Sequence, residues 1–311
     1  MSNNAHCNLP CYRFGMTSLS RRDWILLILL TLCWGVNWPI MKIGVRDFPP
    51  LTFRTLSMLG GLPILWLAAR IQGVSLAIPP GQVKDIARLA VPNMLIWHVF
   101  MILAVKMLSS GRAAILGYTM PVWAVLCALV FFGERLTRAA WIGIGCALAG
   151  AMLLLSSEFA TLAGNPLGTL FALIAAAGWG YGTVAMKRST LDMPTISLTF
   201  WMLAFTTSAM GLVALVVESG DWHLPDALAW GAIAYNAAII FGFAHVIWFN
   251  LARTLPPVAS SLSIMMIPVL GVFSGAWLLG ETPHWQDHAA MGLILAAMST
   301  VLLKPGTAAH K

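Results

Sequence analysis

Charge is what this sequence has least of. Only 9% of its 311 residues are Asp, Glu, Lys or Arg, while 59% are hydrophobic, and a soluble domain keeps about a quarter of its residues charged to cover its surface. Water is therefore excluded as the main solvent. The 11 acidic residues all fall near the ends of apolar runs or in connectors. With no carboxylate in mid-membrane, exchange of a proton for a cation on a buried acid has no carrier. Cysteine is scarce too. Cys7, Cys11, Cys33, Cys127 and Cys146 are scattered, with no CxxC pair and no His-Cys cluster at metal spacing, so they read as ordinary thiols and no metal or cofactor is expected. A membrane enzyme or sensor is disfavoured because paired buried carboxylates, a His-rich metal motif and a soluble signalling domain are all missing.

What is present is apolar sequence almost end to end. About 20 helical residues cross a bilayer core, which leaves room for about ten crossings and no extramembrane domain. Breaks at charged, Pro and Gly residues predict helices over 23–44, 50–69, 85–107, 112–132 and 138–156, then 167–187, 194–217, 226–252, 257–279 and 285–303. Residues 1–20 are expected to be a disordered cytoplasmic N-terminus and 305–311 a cytoplasmic tail. Between them lie 21–156, a connector at 157–166, and 167–304. The Arg21-Arg22 pair before the first run resembles a twin-arginine signal, but further apolar helices follow at once without a small-residue cleavage site. The formal charge of +7 does not imply nucleic acid, because the basic residues sit in short connectors. With the N-terminus inside, Arg13, Arg21, Arg22, Arg70, Lys84, Arg88, Arg135, Arg138, Lys187, Arg188, Arg253, Lys304 and Lys311 fall on the cytoplasmic side and only Lys42, Arg46, Lys106 and Arg112 on the other, with Arg54 inside the second helix. The positive-inside rule then places both termini in the cytoplasm.

The chain also matches itself. Trp34-Gly35 through Met41-Lys42 aligns with Trp179-Gly180 through Met186-Lys187 at a shift of 145. At a shift of 147, His98 aligns with His245, Met120-Pro121-Val122 with Ile267-Pro268-Val269, and Gly133-Glu134 with Gly280-Glu281. Five helices per half is an odd number, so the second half must enter the membrane from the opposite side. Inverted repeats of this kind supply alternating access around a midplane site.

Ten helices in two inverted five-helix halves, the Trp-Gly pairs, Arg54 and the Gly-Glu helix ends resemble the drug/metabolite transporter superfamily, EamA-type, and within it the YddG-type amino acid exporters. The resemblance covers residues 20–304. It implies an all-α membrane protein with a central cavity lined by helices one, three, four, six, eight and nine. It also implies export of amino acids or related small neutral or zwitterionic metabolites across the bacterial inner membrane; drugs, nucleosides or sugar derivatives are the alternative cargo.

Trp34, Asn37, Trp38 and Met41 share one helical face, matched in helix six by Trp179, Gly182, Thr183 and Met186. Helix three puts Met94, His98 and Met101 on a face, matched by Phe241, His245 and Trp248 in helix eight. A neutral imidazole can donate to a carboxylate or accept from an ammonium group. Expected substrate contacts are His98, Trp179, Trp34, Asn37, Trp38, Met101, Tyr118, Thr183, His245 and Trp248. Helix packing explains the same faces without a substrate, with Gly178 and Gly182 allowing close approach. Pro121 and Pro268 each free a carbonyl and can bend a helix, as gates or as static kinks. Arg54, the one candidate for a cation buried within an apolar run, is expected to lie near the outer interface and snorkel, with a role at the substrate as the alternative. A stripe of Ala139, Gly143, Ala147 and Gly150 suits close packing within a monomer or in a weak homodimer.

Overall fold

The computed structural model describes residues 20–160, 164–245, 247 and 257–302, and within them the regular structure is entirely helical. The helices, in our numbering, are α1 (Arg21–Gly44), α2 (Pro50–Ile71), α3 (Val83–Met107), α4 (Ser110–Phe132) and α5 (Arg138–Ala160). Then follow α6 (Pro166–Lys187), α7 (Thr195–Val217), α8 (Ala227–Ala244), α9 (Pro257–Leu279) and α10 (Trp285–Leu302). Among the described residues, α1 to α8 are each long and apolar enough to cross a membrane, and Ile264–Leu279 of α9 is a shorter apolar helix. Large apolar side chains such as Leu59, Ile142, Leu212 and Trp277 stand exposed on the outside. That surface suits lipid, where backbone groups must be satisfied internally and helices do so by themselves.

The elements start and stop for local reasons. Ser20 caps α1 through a reciprocal bond set with Asp23, as a capping box requires. The Gly-Glu pairs noted in the sequence end α4 and α9 in the same way. Gly133 and Gly280 take left-handed φ of 64° and 67° and donate to the Leu129 and Ala276 carbonyls, the bond of an αL helix end, and the following Glu amides reach back to the Ala128 and Gly275 carbonyls. Each half thus fixes a glutamate in the same local geometry.

Packing follows a rule visible in the helix numbers. α1 packs on α8 and α9, while α6 packs on α3 and α4; α2 meets α8 and α7 meets α3; α2 with α7, α4 with α9 and α5 with α10 close the set. Exchanging each helix with the one five places on maps these main contacts onto themselves, whereas among the described residues the contacts of α4 with α10, α1 with α4 and α2 with α3 have no counterpart of similar extent. Repeat-related glycines make the tightest approaches: a Cβ on Gly35 would lie 2.4 Å from Leu270, and one on Gly180 2.6 Å from the Ala124 amide. The small-residue stripe of α5 meets α10 within the monomer, with Gly143 against Thr300 and Gly150 against Ile294.

Two features were not legible in the apolar runs. α4 is broken at Tyr118 and Thr119, so Pro121 sits in the first turn of its second segment, where a missing N–H costs nothing. Its counterpart Pro268 lies inside the continuous α9. In addition, Val91–Ile96 of α3 and Asn236–Ala244 of α8 are wound as π-helix, at positions that overlap under the 147-residue shift. Such turns cluster at functional sites.

Candidate functional site

A cavity of about 900 Å³ runs through the middle of the helices. Trp34, Asn37 and Trp38 of α1, Trp97, His98 and Met101 of α3, Tyr118 and Pro121 of α4, Trp179 and Thr183 of α6, and His245 line it. The expected face of α1 therefore points inward, together with Met41. Pro268 does not line the cavity although its neighbours Ile264 and Ile267 do, and Trp248 lies outside the described residues.

Aromatic rings form the walls. Trp97 stands edge-on to Trp179 at 5.1 Å between centroids, and Trp38 edge-on to Tyr118 at 6.2 Å. His98 is edge-on to Phe241 at 5.3 Å, and His245 stacks on the same Phe241 ring at 5.7 Å with its Nδ1 donating to the Ile240 carbonyl at 2.6 Å. Both ring nitrogens of His98 and the Asn37 Oδ1 are buried without a hydrogen-bond partner. Unmet polar atoms inside a low-dielectric wall cost about 1–3 kcal/mol each, so they mark where a polar ligand or water would be welcome.

The faces drawn from helical spacing were partly wrong. Met94 leaves the cavity and packs with Ile86, Leu198 and Met202 in a second apolar cluster that also takes in Met186. Trp97, one step round, faces the cavity in its place. The cause is the π-wound turn just before it: an extra residue per turn rotates the helix and breaks the i, i+4, i+7 reading. Asn93 in that turn donates to the carbonyls of Leu89 and Gly182. Gly182 is needed there, since a Cβ would lie 2.6 Å from the Asn93 amide carbon.

Arg54 is the main correction. Instead of snorkelling at an interface it is 3% exposed and lines the cavity. Nη1 donates to Asn236 Oδ1 at 3.1 Å, Nη2 meets Met41 Sδ, and the guanidinium lies over the Phe53 and Phe241 rings at 6.0 and 5.7 Å. α2 is packed on both α7 and α8, which places this residue inside the molecule; position along the apolar run alone carries no such information.

The cavity ends differ. Its wall reaches the exposed residues Glu134, Arg135, Thr137, Lys187 and Arg188 at one end. At the other, Glu281 accepts from Ser110 N at 2.7 Å, Ser110 Oγ at 2.9 Å and Gly111 N at 3.3 Å, capping α4. Lys42 donates to the carbonyls of Lys106 and Leu108, and Lys106 to those of Val45 and Arg46. The ends of α1, α3, α4 and α9 are thereby drawn together.

Comparison with known proteins agrees with this architecture. A crystal structure of another protein superposes with a TM-score of 0.63 over 91% of this chain and 96% of that one, at 21% identity, a likeness of fold. The uncharacterized transporter YoaV of Bacillus subtilis is 28% identical over 88% of this chain and 91% of its own. The uncharacterized inner membrane transporter YedA of Escherichia coli K12 is 28% identical, covering 89% of each. A probable amino-acid metabolite efflux pump of Salmonella typhimurium is 26% identical over 90% of this chain and 94% of its own. The EamA-like transporter family matches twice, over residues 23–156 and again over 166–303, and this chain therefore belongs to the EamA-like transporter family.

Proposed function

We propose that this protein is a secondary transporter of the inner membrane that exports amino acids or related small neutral or zwitterionic metabolites by alternating access, with ten helices arranged as two inverted five-helix repeats. The observation that carries the proposal is an aromatic-walled cavity that reaches exposed residues at the Glu134 end, with Glu281 bonding the end of α9 to the start of α4 on the other side. A helix packing whose main contacts map onto themselves on exchange of the halves supports two related conformations, in which the mobile seal passes from one end to the other. The basic residues Arg135, Arg138, Lys187 and Arg188 assign the Glu134 end to the cytoplasm by the positive-inside rule. Two relatives support the location and the cargo, one named an inner membrane transporter and the other a probable amino-acid metabolite efflux pump.

The cavity suits such a cargo. Four indoles supply apolar wall, while Asn37 and His98 supply unmet polar atoms for an ammonium or carboxylate group. Pro121, beside the break in α4, and Pro268 are the points at which the helices would bend. The direct test is counterflow of radiolabelled amino acids, nucleosides and quaternary amines in proteoliposomes. Saturable amino acid exchange is expected; exchange of nucleosides or quaternary amines alone would replace the cargo, and chemical conversion of the solute would overturn the transporter reading. A reporter inserted within Ser219–Asp221 should lie in the periplasm and one after Ser189 in the cytoplasm, and both on one side would remove the inverted repeat.

A further inference from the structure

We propose that Arg54 is the carboxylate anchor of the cargo, so that the site selects ligands with one carboxylate attached to an apolar or aromatic body. The proposal rests on the amino acid reading above for the biological cargo, but not for the anchor itself.

A guanidinium stays charged inside a protein, and burying one costs several kcal/mol unless an opposite charge and a full set of acceptors meet it. Arg54 has neither. Its partners are an amide oxygen, a thioether and two ring faces, Nε has no partner, and among the described residues no carboxylate pairs with it. Glu218, which bonds the turn of α2 just before Arg54, spends both oxygens on the Leu51 and Thr52 amides. An uncompensated cation in the wall of a cavity is poised for an anion that comes and goes, and the planar fork matches a carboxylate in two-point geometry.

The surroundings choose among anions. The other Lys and Arg side chains of the cavity wall, Arg135, Lys187 and Arg188, are exposed at its Glu134 end, whereas Arg54 is buried among Met41, Phe53 and Phe241, in a wall that also holds the buried Asn37 and His98. A single positive charge balances a monoanion and leaves a phosphate dianion undercompensated. The bare Asn37 Oδ1 is an acceptor, fit for an ammonium N–H. The reciprocal π-wound turns hold the arrangement, since Asn236 of the second half positions Arg54 of the first and Asn93 of the first half binds Gly182 of the second.

The experiment compares acids with their isosteric amides. Purified wild-type protein is titrated with phenylalanine, phenylalaninamide, 3-phenylpropionate, 3-phenylpropionamide and phenyl phosphate, with thermal stabilisation as the readout, and the series is repeated on R54Q and R54K. The acids should half-saturate at a concentration at least tenfold below their amides in wild type, R54Q should abolish that preference, and R54K should keep part of it. Equal binding of acid and amide in wild type, preference for phenyl phosphate, no binding by any member, or a preference that survives in R54Q would each overturn the anchor. The wild-type comparison decides even if the variants do not fold. If 3-phenylpropionate binds through Arg54 while phenylalanine is not carried in liposomes, the anchor stands and the amino acid cargo falls.

Discussion

At one end of the cavity Glu281 is sunk against the start of α4, accepting from two backbone amides and a hydroxyl; at the other, Glu134, its partner in the internal repeat, reaches an exposed Arg188 whose side chain and its own are 46% and 52% accessible. Sequence and local geometry are matched, because both glutamates follow a left-handed glycine at a helix end. What differs is what each finds. A carboxylate at a helix N-terminus meets unpaired N–H groups and the positive end of the dipole, whereas an exposed ion pair is screened by water and worth little. The same asymmetry runs through the other acids. Glu218 caps α2, and Asp287 binds Arg112 Nε at 2.6 Å and the His284 amide at 2.7 Å, on the Glu281 side, whereas Asp85 of α3 pairs only with an exposed Arg88. Carboxylates that bond from one helix to another therefore tie the Glu281 end together, whereas at the other end Asp23 bonds only within its own helix start and Glu134 and Asp85 form exposed pairs.

Breaking the seal should cost far more than breaking the open end. The largest effect is expected for Asp287→Asn, which leaves a mostly buried guanidinium, with side-chain exposures of 12% and 7% for the pair. Loss of one partner of such a pair costs about 3–5 kcal/mol, so the melting temperature in detergent should drop by several degrees. Glu281→Ala comes next. Charge-assisted bonds are worth about 1.5–3 kcal/mol each, and a shift of about 2 kcal/mol would favour opening of that end roughly 30-fold, seen as faster labelling of a cavity cysteine from that side with little change in melting temperature. Gly275→Ala should do the same more weakly. Its Cβ would come 2.3 Å from Ser110 Oγ and 2.5 Å from Glu281 Oε2, and relieving such crowding costs about 1–3 kcal/mol; the equivalent residue at the open end is already Ala128. Glu134→Gln, the smallest change, should leave stability and labelling of the sealed end unaltered. If Glu134→Gln matched Glu281→Ala in the labelling rate, the contrast between the ends would be lost.

Much of the helical layout was legible because apolar runs of bilayer length announce themselves and Gly-Glu and Pro breaks separate them. The inward face of α1 was legible too, since Trp34, Asn37 and Trp38 at helical spacing have no place in lipid. The faces of α3 were not. Periodicity assumes 3.6 residues per turn, and the π-wound stretches at Val91–Ile96 and Asn236–Ala244 break that assumption, exchanging Trp97 for Met94 in the cavity. Arg54 was misplaced for another reason. A lone cation in an apolar run can reach an interface or turn inward, and only the packing of α2 on α8, with Asn236 waiting, decides between them. Likewise no local pattern distinguishes Glu134 from Glu281, because the difference lies in which helix start each one meets.

Side-specific labelling of the cavity tests most directly whether one end is closed and the other open. A single cysteine at Thr183, in a background with the native cysteines replaced by serine, would be treated with a membrane-impermeant maleimide in right-side-out and in inside-out vesicles. The cavity wall runs from Thr183 to Glu134 and Arg188, so labelling should be faster from the face carrying Glu134, and adding Glu281→Ala should raise the rate from the opposite face roughly 30-fold. Equal rates from both faces in the parent, unchanged by Glu281→Ala, would contradict that difference between the ends.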